Sequence, residues 1–303
     1  MRIRVCACCL AVISLTICHA YAMPLHEKAT LFQHDMEKRF LLEGQALCKL
    51  KRPTERRSFV AYNMPDNAYM TGIYTATLAM KYAVTRKEND LKAARHSLNA
   101  LHLLCAVSGT PGVPARAAWP KGKPLDDDGI WRDSSCGRYV WRGDVSTDQV
   151  AGIMFGFAFA YDLIADKTTR ENIARDATAI VDRVLNHDLR IVDVDGKPTR
   201  WGRYDPRYVS KTEKMNALLW LQALKVAAQV SDTSRYADLY AHWAVDKGYA
   251  ELASAARRKA APLFRGMVNH SDDVLLFLGF VPLLRYETDP EIRSLIMSGL
   301  RHF

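Results

Sequence analysis

Two aspartates four residues apart, Asp144 and Asp148, stand at the entry to the most apolar stretch of the chain. Paired carboxylates of this kind can run glycoside hydrolysis, one donating a proton to the leaving oxygen while the other activates water or attacks directly. They belong to Tyr139-Val140-Trp141-Arg142-Gly143-Asp144-Val145-Ser146-Thr147-Asp148-Gln149. In that segment Tyr139 and Trp141 offer ring faces on which a sugar could stack, and Arg142 could hold a substrate carboxylate bidentately. A structural reading competes: Ser146 to Gln149 is a capping box, and an acid in a first helical turn is favoured by the helix dipole. That reading weighs on Asp148 more than on Asp144, since the hydroxyl of Ser146 already supplies the cap.

Other candidates precede apolar stretches in the same way. Asp66 and Asn67 lie in Asn63-Met64-Pro65-Asp66-Asn67, with Asp66 expected as a helix cap. In Asn269-His270-Ser271-Asp272-Asp273 the expected cap is Ser271, which leaves His270, Asp272 and Asp273 with no evident structural task. Trp201 and Arg203, in Lys197 to Tyr204, could line a cleft for a polyanionic glycan, although an exposed basic loop anchored by one Trp explains them equally well. Asp126-Asp127-Asp128-Gly129 lacks the alternating spacing and closing Glu of an EF-hand and reads as a solvated acidic loop. Phosphate-binding glycine motifs, GxSxG elbows, HExxH pairs and Cys/His zinc spacings are missing from the sequence, so no metal and no cofactor is expected.

Helices must position these residues. Leu91, Ala94, Leu98, Leu101 and Cys105 share one helical face, as do Ile173, Ala177, Ile180, Val181 and Val184, each with charged residues opposite. Val150–Ile164, Leu218–Val230 and Val274–Leu284 are apolar nearly all round, and helices of that kind have to be covered on all sides. Alternation of the two kinds predicts an inner layer backed by an outer one. Thr85–Glu88 and Thr168–Glu171 read as capping boxes and Asp289-Pro290 as an N-cap followed by proline, each a tight turn after a covered helix. The remaining connectors are long: 109–145, 189–210 and 261–270. Short turns at one end and long loops at the other gather binding residues at the loop end. Four hairpins are expected, after an N-terminal helix near Glu27 to Leu50.

From about Ala61 onward this alternation, with its aromatic and acidic loops, resembles the α/α toroids shared by many glycoside hydrolases, polysaccharide lyases and sugar epimerases. The resemblance implies an all-α fold, a toroid or partial toroid, in a single domain over residues 23–303, with the natural C-terminus lying beyond Phe303 or the ring left open. Residues 1–22 read as a signal peptide: Arg2 and Arg4, the apolar run Val5 to Cys18, and Ala20-Tyr21-Ala22 at the cleavage point. The expected location is therefore secreted or periplasmic, without stable membrane insertion. Seven cysteines fall to three after cleavage, room for one disulfide but no scaffold. The formal charge of +9 suits an anionic polysaccharide or cell surface, while export argues against nucleic acid. The leading expectation is a glycoside hydrolase acting on a poly- or oligosaccharide, with Asp144 and Asp148 as its acid and base and Asp66 and Asp273 in reserve. A lyase or epimerase would use His270 or Tyr139 with Arg142, and a non-catalytic glycan-binding module would need only the aromatics and arginines.

Overall fold

Periodicity and helix-end chemistry place most of the elements, as a computed structural model describing residues 23–258 and 269–302 shows. The described residues are 59% helix and 11% strand, with 11 helices, so the protein is mainly helical. The expected signal peptide lies outside the described residues. The chain divides into two units, Met1–Phe40 and Leu41–Phe303. In the first, helix α1 (Leu25–Arg39) buries none of its residues and is braced by i,i+4 contacts such as Gln33 Nε2 donating to Glu37 at 2.7 Å. It stops at Arg39, well short of the expected Leu50. Beyond it β1 (Leu41–Leu42) pairs with β2 (Gln45–Ala46) across Glu43 and Gly44, both at positive φ, the signature of a tight hairpin, and β3 (Leu50–Lys51) pairs antiparallel with β4 (Ala61–Tyr62).

Four helical hairpins make up the second unit. Helix α2 (Asn67–Thr85) returns through α3 (Glu88–Ala106), and α4 (Thr147–Leu163) through α5 (Lys167–Leu185). A short α6 (Pro206–Lys211) leads into α7 (Met215–Val230), which returns through α8 (Arg235–Ala241), a π-helical turn at His242–Asp246 and α9 (Tyr249–Ser254). Helices α10 (His270–Tyr286) and α11 (Pro290–Arg301) form the last pair. The first helices of the hairpins pack on one another, with α4 touching α2, α7 and α10, and the return helices lie against them. This is why α4 is apolar all round: residues Gln149 to Ala160 are all buried. Its contact with α2 is made by glycine. A Cβ on Gly152 would stand 2.5 Å from the Tyr69 Cα, and one on Gly72 only 1.8 Å from the Gly152 carbonyl oxygen.

Several helix ends differ from expectation. Asp166 starts α5, accepting from the Thr169 backbone N–H, so Thr168–Glu171 is no capping box. Thr85 closes α2 and donates to Asp90 instead of capping α3, and α10 is capped by Asn269, not Ser271. Asp289 does cap α11 ahead of Pro290, and Ser146 with Gln149 forms the capping box of α4. Strand content exceeds the reading. The long connector before α4 carries a three-stranded antiparallel sheet in which β7 (Tyr139–Arg142) lies between β5 (Ala117–Pro120) and β6 (Trp131–Asp133). The connector before α6 folds as the short hairpin that the turn residues Asp193-Val194-Asp195-Gly196 suggest, with β8 (Arg190–Val192) pairing antiparallel with β9 (Pro198–Arg203). A connector with its own sheet is a rigid platform on which side chains can be held at the helix starts.

Candidate functional site

The starts of α4, α7 and α10 converge on a cleft of about 340 Å³. Helix starts supply Asp148, Asn216 and Asp272, and the connectors supply Arg116, Trp201 and Glu213. Each comes to the cleft because a covered helix must begin where its long connector ends. The Ser146 N–H donates to Gln149 Oε1 at 2.8 Å, which holds the first turn of α4 and directs Asp148 at N2 to the rim. Asn216 donates from Nδ2 to the Arg203 carbonyl at 2.8 Å, and buried Asp272 accepts from Asn269 Nδ2 at 2.6 Å.

Asp148 is the perturbed group of the site. Burial holds its carboxyl above the ordinary carboxylate range, and the negative charges of Asp66 and Asp272 push in the same direction. Arg116 and the Thr147 hydroxyl, which donates to Asp148 Oδ1 at 3.3 Å, pull the other way and do not win. Arg116 is committed elsewhere: its Nε donates to the Asp144 carbonyl at 2.5 Å and its Nη1 to the Pro65 carbonyl at 2.9 Å. Asp66, across from it, accepts from Gln149 Nε2 at 3.3 Å and lies 3.4 Å from Lys49 Nζ. Asp66, Asp148 and Asp272 thus interact at one rim.

The other residues marked in the sequence fall elsewhere. Asp144 adopts a left-handed backbone (φ 57°), and its carboxylate accepts from the backbone N–H and Nε of Arg200 at 3.0 and 2.9 Å. It does not line the cleft. Trp141 is 1% exposed, packed in the core with the Arg132 guanidinium over its ring, so no sugar can stack on it. Arg142 is buried and donates to Asp127, Asp128 and Asn63, which leaves it unable to clamp a substrate carboxylate. Tyr139 donates its hydroxyl to Glu43 at 2.8 Å, and Arg203 pairs with Asp205 at 3.0 Å while covering the Tyr208 ring. Asn67 is fully buried and accepts from the Cys48 backbone N–H. His270 and Asp273 pair with each other at 2.9 Å, and Asp273 also faces Arg258; neither lines the cleft. Trp201, 63% exposed, stays at the rim.

The acidic loop is not solvated throughout. Asp127 has no exposed side chain and accepts from Arg142 and from Trp131 Nε1, while Asp126 pairs with Lys51 and Arg57. Among the described residues no group of three or more His, Cys, Asp or Glu side chains could hold a metal ion. Cys48 and Cys105 are buried free thiols, and Cys136 is exposed and free.

Sequence reasoning passed over Arg116, Tyr208, Glu213, Asn216 and Asn269, all of which line the cleft. A signal existed for Glu213 and Asn216. They sit at the start of a covered helix, as Asp66 and Asp148 do, but the apolar run was read as opening at Leu218. Arg116 had none, because a lone arginine in a connector acquires its position from the β5–β7 pairing. No known family, curated protein or solved structure matches this chain. Among the described residues no helix is long and apolar enough to cross a membrane.

Proposed function

We propose that this protein is an exported glycan-processing enzyme, most simply a glycoside hydrolase, built as part of an α/α toroid. Asp148 is the proton donor. The observation that carries this reading is a carboxyl held above its ordinary pKa range at the mouth of a cleft that also contains a second carboxylate, Asp272. General acid catalysis at a glycosidic oxygen needs a carboxylic acid that keeps its proton near working pH, and an apolar, like-charged setting is what provides one. Asp272 is the partner carboxylate in this reading, as base or nucleophile. Trp201 supplies a ring face at the rim for the sugar, and Asp66 acts on Asp148 through charge. Hydrolysis is favoured over elimination because the groups named for elimination, Arg142, Tyr139 and His270, do not line the cleft.

The test is product analysis. Incubating the purified protein with neutral, amine-bearing and acidic oligosaccharides should release new reducing ends from at least one class, without ultraviolet-absorbing unsaturated ends. Release of unsaturated products would replace hydrolysis with elimination. Binding without turnover on every class would leave a glycan-binding module.

A further inference from the structure

The chain has a formal charge of +9, and part of that charge is gathered against one wall of the cleft. Glu213, which lines the cleft, also lines a second hollow of about 210 Å³ together with Lys211, Lys214 and Arg257. All three cations are exposed, as is Arg207, the neighbour in sequence of the cleft residue Tyr208. Arg257 Nη1 donates to the Ser254 and Ala256 carbonyls at 2.9 and 2.6 Å, which holds the guanidinium in place with its charge unpaired. Arg207, Lys211 and Lys214 form no ion pair with any described residue. Other cations of this region do, Arg203 with Asp205 and Arg258 with Asp273. The hollow at the short-turn end mixes both signs, Lys167 and Arg170 with Glu171 and Asp232.

Packing does not account for this cluster. Arg207 and Lys211 stand four residues apart on α6, so they share a face and repel each other. Lys214 is the N-cap of α7, where a cation adds to the positive end of the helix dipole instead of offsetting it. Both placements cost stability, and neither burial nor ion pairing offsets that cost. An anionic ligand group would: ammonium and guanidinium donors around one hollow make charge-assisted hydrogen bonds to a carboxylate or a sulfate. Glu213, buried in the shared wall, is the one acid of the lining against three cations. Its backbone ties the hollow to the cleft. The Glu213 carbonyl accepts from the Asn216 N–H at 3.1 Å, and Asn216 Oδ1 accepts from the hydroxyl of Thr147, next to Asp148, at 3.4 Å. A sugar chain with one unit at Asp148 that leaves the cleft over Glu213 brings its next units to Lys211 and Lys214.

We propose that this hollow is an anion subsite of the cleft, and that the glycan it takes is acidic, a uronate or a sulfate ester. The charged group of that glycan sits among Lys211, Lys214 and Arg257, beside the sugar unit held at Asp148. This rests on the reading of the cleft as a glycan site, but its test does not require turnover.

The experiment measures calorimetric binding to the Asp148→Asn protein, which holds substrate without cleaving it, at neutral pH. Three soluble oligomers of equal length are compared: a neutral hexose oligomer, its sulfated form, and a hexuronate. The better of the two acidic oligomers should bind at least about tenfold more tightly than the neutral one, and which of them it is identifies the anion as sulfate or carboxylate. The preference should shrink with added salt and vanish in Lys211→Gln/Lys214→Gln. Lys211→Arg/Lys214→Arg should keep it. Lys87→Gln/Lys167→Gln, which removes the same charge at the short-turn end, should also keep it. An unchanged melting temperature shows that the first pair of substitutions leaves the fold intact, and Arg257→Gln repeats the test should that pair misfold. Equal affinity for neutral and acidic oligomers, an equal loss in the two Gln pairs, or no binding to any of the three overturns the proposal. Cleavage of neutral oligomers without an acidic preference keeps the hydrolase reading and removes this one. An acidic preference lost in Lys211→Gln/Lys214→Gln, in a protein that cleaves none of these oligomers, does the reverse.

Discussion

At the short-turn end of the hairpins, Asp162 accepts from Arg285 Nε at 2.6 Å and from Tyr286 Oη at 3.0 Å. Buried Glu287 lies 3.1 Å from Lys225 Nζ and accepts from the Tyr240 hydroxyl. At the long-loop end, Asp148 has a neighbouring hydroxyl at 3.3 Å, no ion pair among the described residues, and two carboxylates close enough to raise its pKa. Both ends bury acids on covered helices. The short-turn end compensates them with cations and phenols, as packing demands, whereas the long-loop end leaves Asp148 uncompensated. An acid left without an ion pair in a partly buried cleft costs stability, and that cost is what keeps its proton available.

This contrast can be broken at either end. Asp148→Asn should lower turnover by roughly 10² to 10⁴-fold while leaving glycan affinity in place, as read by steady-state rates and calorimetry. The same substitution should raise the melting temperature at neutral pH. A carboxyl with a raised folded-state pKa contributes stability at low pH that is lost as pH rises through that pKa, so the gain should shrink in acid. An unchanged turnover would remove Asp148 from the chemistry.

Lys225→Met, at the other end, should cost about 3–5 kcal/mol in denaturant unfolding by stranding the buried Glu287, without altering the pH profile of the folded protein. Gly152→Ala should cost roughly 1–3 kcal/mol, because the added methyl meets the α2 backbone, which has no flexible side chain to yield. Asp66→Asn removes a charge that holds the proton on Asp148, so the alkaline limb of the kcat/KM profile should move to lower pH. A limb that stays in place would show Asp66 to be electrostatically idle. The smallest effect is expected from Asp144→Asn, whose partner Arg200 is exposed: turnover should stay within about threefold of the parent. A loss as large as that of Asp148→Asn would restore Asp144 as the second carboxylate.

Much of this organisation was legible in the residues. The four hairpins, the covered character of α4, α7 and α10, and the Ser146–Gln149 capping box follow from periodicity and local hydrogen bonding, which act over a few residues. Asp148 and Asp66 were legible because they stand at the starts of covered helices. The division of labour within Tyr139 to Asp148 was not. Trp141 and Arg142 look as available as Trp201 until the sheet pairing turns them inward onto Arg132 and Asp127. Asp272 and Asp273 are adjacent in sequence, yet the helical phase sends the first to the cleft and the second to His270 and Arg258.

The sequence by itself determined which segments become helices, which of those must be covered, and that their starts follow long connectors. Hydrophobic periodicity and helix-end chemistry are local and leave their marks in consecutive residues. The tertiary structure alone decided which charges meet. A carboxylate's pKa and a guanidinium's availability depend on neighbours tens of residues away, such as Asp66 and Arg116 around Asp148, and those distances exist only once the helices pack.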